Sequence, residues 1–212
     1  MLESIEKYLL QNWDSFLLSV KQHLEISVIA LLSSIVIGCT IGYLVYKHPK
    51  YSKLLVSFFE TLKIIPNLAL LFILIPLIGV GVLPSVVALI TIGVMPVLLN
   101  TITGFQSSDP FLIEVSQAMG MNEKQILRRV RIPQAFPFIL TGIQTAFIEI
   151  VASTTIAAYI GAGGLGSIII TGLNLARTDM LIVGGLSVAI LSLLAGLSIQ
   201  VIRRIILRYE YL

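Results

Sequence analysis

Five stretches of this chain are apolar for long enough to cross a bilayer. A hydrocarbon core about 30 Å thick takes roughly 20 helical residues to span. Runs of that kind fall at 24–45, 58–78, 83–99, 135–160 and 180–202. A mean hydropathy of +0.99, with 57% hydrophobic and 12% charged residues, is too apolar for one soluble domain of 212 residues to bury. The sequence therefore predicts an all-α integral membrane protein. Inside lipid every backbone group must be paired within the protein, and the helix does this segment by segment.

Two of the five runs are interrupted. The second carries Glu60, Lys63, Pro66 and Pro76, and the fourth carries Pro137, Gly142 and Glu149. Broken helices of this kind belong where they face protein or a water-lined path. Ahead of the first run, Leu2, Ile5, Leu9, Trp13, Phe16, Leu17 and Val20 recur at helical spacing opposite polar residues. This predicts an amphipathic helix over 1–22 lying in the interface, followed by a membrane domain over 23–212. The acidic start, with Glu3, Glu6 and Asp14, does not look like a cleaved signal peptide.

Charge placement orients the spans. With the loop between the first two spans inside, Lys47, Lys50, Lys53, Lys63, Lys124, Arg128, Arg129, Arg131, Arg203, Arg204 and Arg208 share that side. Only Lys7, Lys21 and Arg177 fall outside, eleven cations against three. The expected topology is an outer N-terminus and a cytoplasmic C-terminus. The same bias accounts for a net charge of +3 without nucleic acid as a partner.

On the first span Ala30, Ser34, Gly38 and Gly42 place a small residue at every fourth position, and Ser192 and Gly196 repeat this on the fifth. Such stripes admit a close neighbour, either another helix of this chain or a second subunit. Cys39 alone excludes an intrachain disulfide and any cysteine-based metal cluster. His23 and His48 have no partner ligands in sight, so no metal site is expected.

The polar island at 109–133 obeys local rules. Asp109 suits an N-cap and Pro110 the first helical position, which starts a short helix through Glu114 and Ala118. Gly120 ends it in the left-handed conformation. Asn122 and Gln125 form a capping box for a second short helix through Val130, stopped by Pro133. Phe111, Leu112, Val115, Met119, Ile126 and Leu127 supply apolar anchors. This knuckle is suited either to a groove on a partner protein or to rest among anionic headgroups of the membrane lipid.

Resemblance bears on that choice. The segment EVSQAMGMNEKQILRRVRIP from Glu114 has the spacing of the "EAA" loop of bacterial ATP-binding-cassette importer permeases, with Glu114, Gly120 and Pro133 in register. Val115 and Ser116 stand at the two alanines, and Val130 and Ile132 at the hydrophobic positions before the proline. IPNLALLFILIPLIGVG from Ile65, LLNTITG from Leu98, IPQAFPFILTGIQTA from Ile132 and AAYIGAGGLG from Ala157 resemble the osmoprotectant branch, which imports glycine betaine, carnitine and choline.

The resemblance implies a type I importer permease with five transmembrane helices and a cytoplasmic coupling-helix loop, in a bacterial inner or plasma membrane. It implies two cytosolic ATPases that bind ATP and Mg, no cofactor in this chain, a second permease subunit and an extracytoplasmic solute-binding protein. Glu114, Ser116, Ala118, Met119, Gly120 and Pro133 are then the coupling residues, which carry force and do no covalent chemistry.

Asn67, Asn100, Thr101, Glu149, Ser153 and Thr154 are the polar span residues that are candidates for the path. Glu149, near mid-span, is expected either to draw a cationic solute or to hydrogen-bond Ser153, Thr154 or a second subunit. Asn67, Asn100 and Thr101 either line the path or satisfy backbone groups freed by helix breaks. The cluster Gly161, Gly163, Gly164 and Gly166 lacks both the preceding strand and the following Lys and Ser or Thr of a phosphate-binding loop. It is expected to be a turn near the outer mouth that admits close packing and gate movement. No HExxH, GxSxG or paired carboxylates support an enzyme. The competing class is a secondary transporter or channel with Glu149 as its ion site, against which stand the five unrepeated spans.

Overall fold

The computed structural model describes residues 2–207, and their side chains apart from those at 2, 49, 51–53, 62 and 63. Lys53, Lys63 and Arg208 of the charge count thus lie outside what it describes. All regular secondary structure among the described residues is helical. The elements are α1 (Leu2–Gln11), α2 (Trp13–Lys47), α3 (Pro49–Ile64), α4 (Asn67–Ile78), α5 (Val82–Gln106), α6 (Pro110–Ala118) and α7 (Glu123–Ile126). A π-helical turn (Leu127–Arg131) then leads into α8 (Ile132–Ala157), α9 (Leu165–Asn174) and α10 (Thr178–Ile206).

Four helical stretches are long and apolar enough to cross a membrane: Trp13–Lys47, Val82–Gln106, the run Glu123–Ile160, and Thr178–Ile206. The remaining expected span, 58–78, is two helices. Pro66 has no amide hydrogen and pushes Ile65 out of the helical region, so α3 stops at Ile64 and α4 starts afresh at Asn67. α4 has 12 residues and reaches about 18 Å, short of the hydrocarbon thickness.

The amphipathic stretch expected over 1–22 is divided at Asn12, whose Nδ2 donates to Tyr8 O at 3.0 Å. Its first half is α1; its second half is continuous with the first span, so α2 runs 35 residues, about 50 Å. The apolar face of the stretch is not left to the interface alone. Ile5, Leu9, Phe16 and Val20 pack with Tyr8 against Leu165, Ile168, Met180 and Val183 of α9 and α10. Helix α9 was not anticipated: the whole glycine cluster reads as a turn, yet α9 begins within it, at Leu165.

Helix α5 is the centre of the bundle, flanked by α2 and α8. The small-residue stripe of α2 explains the first contact. Ala30, Ser34, Gly38 and Gly42 are all buried, and a β-carbon on Gly38 or Gly42 would lie 2.8 Å from Val97 or 2.7 Å from Thr101. The stripe is an intrachain seam. On the other side Gly142 of α8 meets Pro96 O, where an added β-carbon would stand at 2.7 Å. Gly196 of α10 packs on Ile148 of α8 in the same manner.

Successive spans alternate in direction, so the bundle has two distinct ends. One carries the α4–α5 turn, the glycine turn and α1, with Gly81 N donating to Ile160 O at 2.7 Å and Arg177 over the Tyr8 ring at 5.5 Å. The other carries α6, α7 and the end of α2, with Arg131 over the Tyr46 ring at 5.6 Å.

Candidate functional site

At the second end, α6 is built as its local sequence dictates. Asp109 Oδ1 accepts from Phe111 N at 2.9 Å, with Pro110 at the first helical position. Gly120, at φ +79°, closes the helix, and Met121 N donates back to Ser116 O at 3.1 Å. The capping box is reciprocal: Gln125 N donates to Asn122 Oδ1 at 3.0 Å, and Asn122 N to Gln125 Oε1 at 2.8 Å.

Pro133 does not end the second short helix. α7 passes through the π-helical turn directly into α8, with Ile132 N donating to Leu127 O. The wider turn admits the proline ring, whose missing amide costs nothing in the first turn of a helix. The α7 half of the knuckle is therefore continuous with α8.

Its apolar residues divide. Phe111, Leu112, Val115 and Met119 stand on one face of α6 and are exposed, Phe111 by 66% and Met119 by 75%. Ile126 is buried in the bundle, anchoring the knuckle to its own chain. Glu114, Ala118 and Gly120 are exposed, while Ser116 faces inward and donates to Leu112 O at 2.7 Å. Pro133 is exposed beside them. α6 thus presents an exposed apolar face set among charges and outside the apolar spans.

The polar residues of the spans fall into two groups. Asn67, Glu149 and Ser153 line one cavity of about 330 Å³ among α3, α4, α5 and α8, together with Phe59, Thr91 and Met95. Asn67 Nδ2 donates to Ser153 Oγ at 3.0 Å across it. The others are spent on helix contacts. Asn100 Nδ2 donates to Pro96 O at 2.9 Å, and Thr101 is buried with Oγ1 donating to Val97 O at 2.7 Å. Thr154 is buried against Ser27, their hydroxyl oxygens 3.0 Å apart.

Gly161, Gly163 and Gly164 all have positive φ, from +73° to +84°, and form the turn between α8 and α9. Residues 22 and 23 of α2 hold that turn, which sequence reasoning did not anticipate. Gln22 Oε1 accepts from Gly164 N at 3.2 Å. The fully buried His23 packs on Gly164, and its Nε2 donates to Val151 O at 2.9 Å. Gly166 sits at the start of α9 against Thr155 and Ala158, with no room for a side chain.

A bundle of membrane-crossing helices with a cavity between them and an apolar-faced projection at one end is the architecture of a transporter's membrane subunit. The chain belongs to the family described as the binding-protein-dependent transport system inner membrane component, which it matches over residues 34–208.

Curated relatives cover nearly the whole chain. It is 36% identical over 192 residues to the carnitine transport permease protein OpuCB of Listeria monocytogenes, spanning 91% of this chain and 88% of that one. It is 35% identical to the glycine betaine/carnitine/choline transport system permease protein OpuCB of Bacillus subtilis, spanning 93% and 91%. To the osmoprotectant import permease protein OsmW of Salmonella typhimurium it is 35% identical, spanning 88% and 89%.

Solved structures share the fold. An amino acid ABC transporter crystallised with histidines superposes with a TM-score of 0.78 at 21% identity, covering 93% of this chain and 96% of that one. The inward-facing MetNI methionine ABC transporter superposes with a TM-score of 0.73 at 24% identity, covering 86% and 92%. The chain is thus a permease with the type I ABC importer fold.

Proposed function

We propose that this permease forms half of the membrane path of an importer for quaternary-amine solutes and takes its work from a cytosolic ATPase seated on α6. One observation carries the reading: the capped, apolar-faced α6 stands clear of the bundle and meets, across the Gly120 turn, the capped α7 segment that runs unbroken into α8, which lines the cavity. Displacement of α6 passed to α7 is therefore displacement of a cavity wall. In this reading Glu114, Ala118, Met119, Gly120 and the exposed Pro133 face the ATPase, while the buried Ser116 supports the knuckle from within. ATP and Mg are bound by that partner.

The substrate class is supported by the relatives, whose named solutes carnitine, glycine betaine and choline all bear a trimethylammonium group. Such a cation has no N–H to donate. It is held by negative charge and by polarisable or aromatic surfaces, and the cavity offers the Glu149 carboxylate, the Phe59 ring and the Met95 thioether.

The eight described cations of the expected inner set, Lys47, Lys50, Lys124, Arg128, Arg129, Arg131, Arg203 and Arg204, all fall at the α6 end of the spans, which supports placing α6 in the cytoplasm and the N-terminus outside. The second half of the path is another permease subunit, and an extracytoplasmic binding protein delivers solute at the glycine-turn end.

The test is uptake of radiolabelled glycine betaine, carnitine or choline into vesicles carrying the permease with its ATPase and binding protein. Accumulation is expected only with internal ATP, and Phe111→Asp with Met119→Asp is expected to abolish both uptake and ATPase co-purification. Accumulation by vesicles holding the permease alone would overturn the reading in favour of a secondary transporter.

A further inference from the structure

Where α2 ends, its last turns and the α7 segment enclose a groove of about 730 Å³ that the coupling function leaves unused. Lys47 comes from α2, and Lys124, Arg128 and Arg131 come from the facing wall; Glu123 is the single carboxylate against these four cations. Among the described residues none of the four is engaged in an ion pair. Converging cations repel one another, and a surface that keeps them together without neutralising them is an anion site.

The aromatic residues of the groove are fixed. Tyr46 stacks on the buried Phe105 with ring centroids 5.0 Å apart, and Tyr43 packs on Phe105 at 5.4 Å. Arg131 lies over the Tyr46 ring at 5.6 Å. Tyrosines on a rigid platform at the end of a membrane-crossing helix mark headgroup depth.

A second observation identifies the kind of anion. Leu32, Val36 and Leu44 are 58%, 67% and 49% exposed on α2, and the stripe they form runs directly to Tyr43 and Lys47. A soluble anion or an acidic protein segment would use the charged end alone. A lipid uses both ends: acyl chains along the stripe and phosphate among the cations.

We propose that this groove binds the headgroup of an anionic phospholipid, with the acyl chains lying along the exposed face of α2. The site joins α2 to the knuckle. A lipid seated there would brace the base of the coupling segment, independently of which solute the transporter carries.

The test is native mass spectrometry of the full-length permease in detergent, titrated with phosphatidylglycerol or phosphatidylcholine of identical acyl chains. Phosphatidylglycerol is expected to bind more tightly, by about fivefold for each groove cation engaged. In the triple variant Lys47→Gln, Lys124→Gln, Arg128→Gln the preference should fall to the share left to Arg131, about fivefold or less, while phosphatidylcholine binding stays the same, which guards against misfolding. Removing equal charge elsewhere, with Lys7→Gln, Lys21→Gln and Arg177→Gln, should leave the preference intact.

Four outcomes would overturn the proposal. The native chain could lack the preference, or the triple variant could keep it in full. Inorganic phosphate, added at millimolar concentration, could displace the lipid, which makes the groove a soluble-anion site. Repeating the titration with the ATPase bound separates the remaining occupant: loss of the preference there assigns the groove to an acidic surface of the partner protein and overturns the lipid.

Discussion

Asn67 and Ser153 are joined by a hydrogen bond of 3.0 Å, the amide of the first residue of α4 donating to a hydroxyl near the end of α8. α4 is a detached piece of a broken span, so this bond ties it to the helix that continues into the knuckle. Ser153→Ala removes the acceptor and leaves a half-buried amide facing a methyl group. The expected cost is about 1 kcal/mol, read as a fall of roughly 2–4 °C in the thermal unfolding midpoint of the detergent-solubilised permease. An unshifted midpoint would mean that the tie contributes nothing to holding α4.

The same cavity holds Glu149, and a carboxylate inside a membrane span is costly enough to require a use. Glu149→Gln keeps the shape and removes the charge. If the carboxylate steers a trimethylammonium solute, the uptake rate should fall on the order of tenfold, equivalent to about 1.4 kcal/mol, with ATPase co-purification unchanged. Undiminished uptake by an assembled complex would take Glu149 out of the path.

Close packing gives a matched pair of glycine tests. A β-carbon at Gly142 would lie 2.7 Å from the backbone oxygen of Pro96, whereas at Gly185 nothing stands within 4 Å. Backbone cannot swing aside as a side chain can, so Gly142→Ala must push α8 away from α5. We expect it to cost about 1–3 kcal/mol, and Gly185→Ala to be neutral or slightly stabilising through its better helix propensity. Equal unfolding midpoints for the two variants would show that the α5–α8 seam is soft.

His23 supplies a further stability prediction. It is fully buried, donates to Val151 O and fills the space beside Gly164. His23→Ala leaves a cavity where α2, α8 and the glycine turn meet, and the expected loss is about 2–4 kcal/mol. Limited proteolysis offers a local reading, since cleavage should appear first between 160 and 165. Cleavage that begins elsewhere would detach His23 from the turn.

What the sequence disclosed depended on whether a feature is local. Asp109, Gly120 and the Asn122–Gln125 pair act on backbone groups within a few residues, so the caps of the knuckle were legible. Pro133 was expected to stop a helix, because nothing in the sequence signals the π-helical turn that absorbs it. The four long spans were legible from hydropathy, and Pro66 announced the broken one. α9 was not, because ten residues, two of them glycine, make no membrane-length run. The polar span residues were the least legible. Asn67, Asn100, Thr101, Glu149, Ser153 and Thr154 all sit in apolar surroundings, where no amphipathic pattern says which way each points. Only packing separates Thr101 and Thr154, buried against neighbouring helices, from the three that share a cavity.

The knuckle's geometry rests on Gly120, which has φ +79° and open space around its α-carbon. A side chain there meets no neighbour, so the effect of substitution is confined to the backbone. Alanine pays about 1–2 kcal/mol for the left-handed conformation, asparagine much less, and proline cannot adopt it. The bundle does not depend on this residue. The order Gly, Asn, Ala, Pro should therefore appear in ATPase co-purification and in ATP-driven uptake, with Gly120→Asn close to the parent and Gly120→Pro inactive, while Gly120→Ala lowers the unfolding midpoint of the permease alone by no more than about 2–8 °C. Active Gly120→Pro complexes would mean that the ATPase grips some other part of the chain, and the assignment of α6 as the coupling element would fall with it.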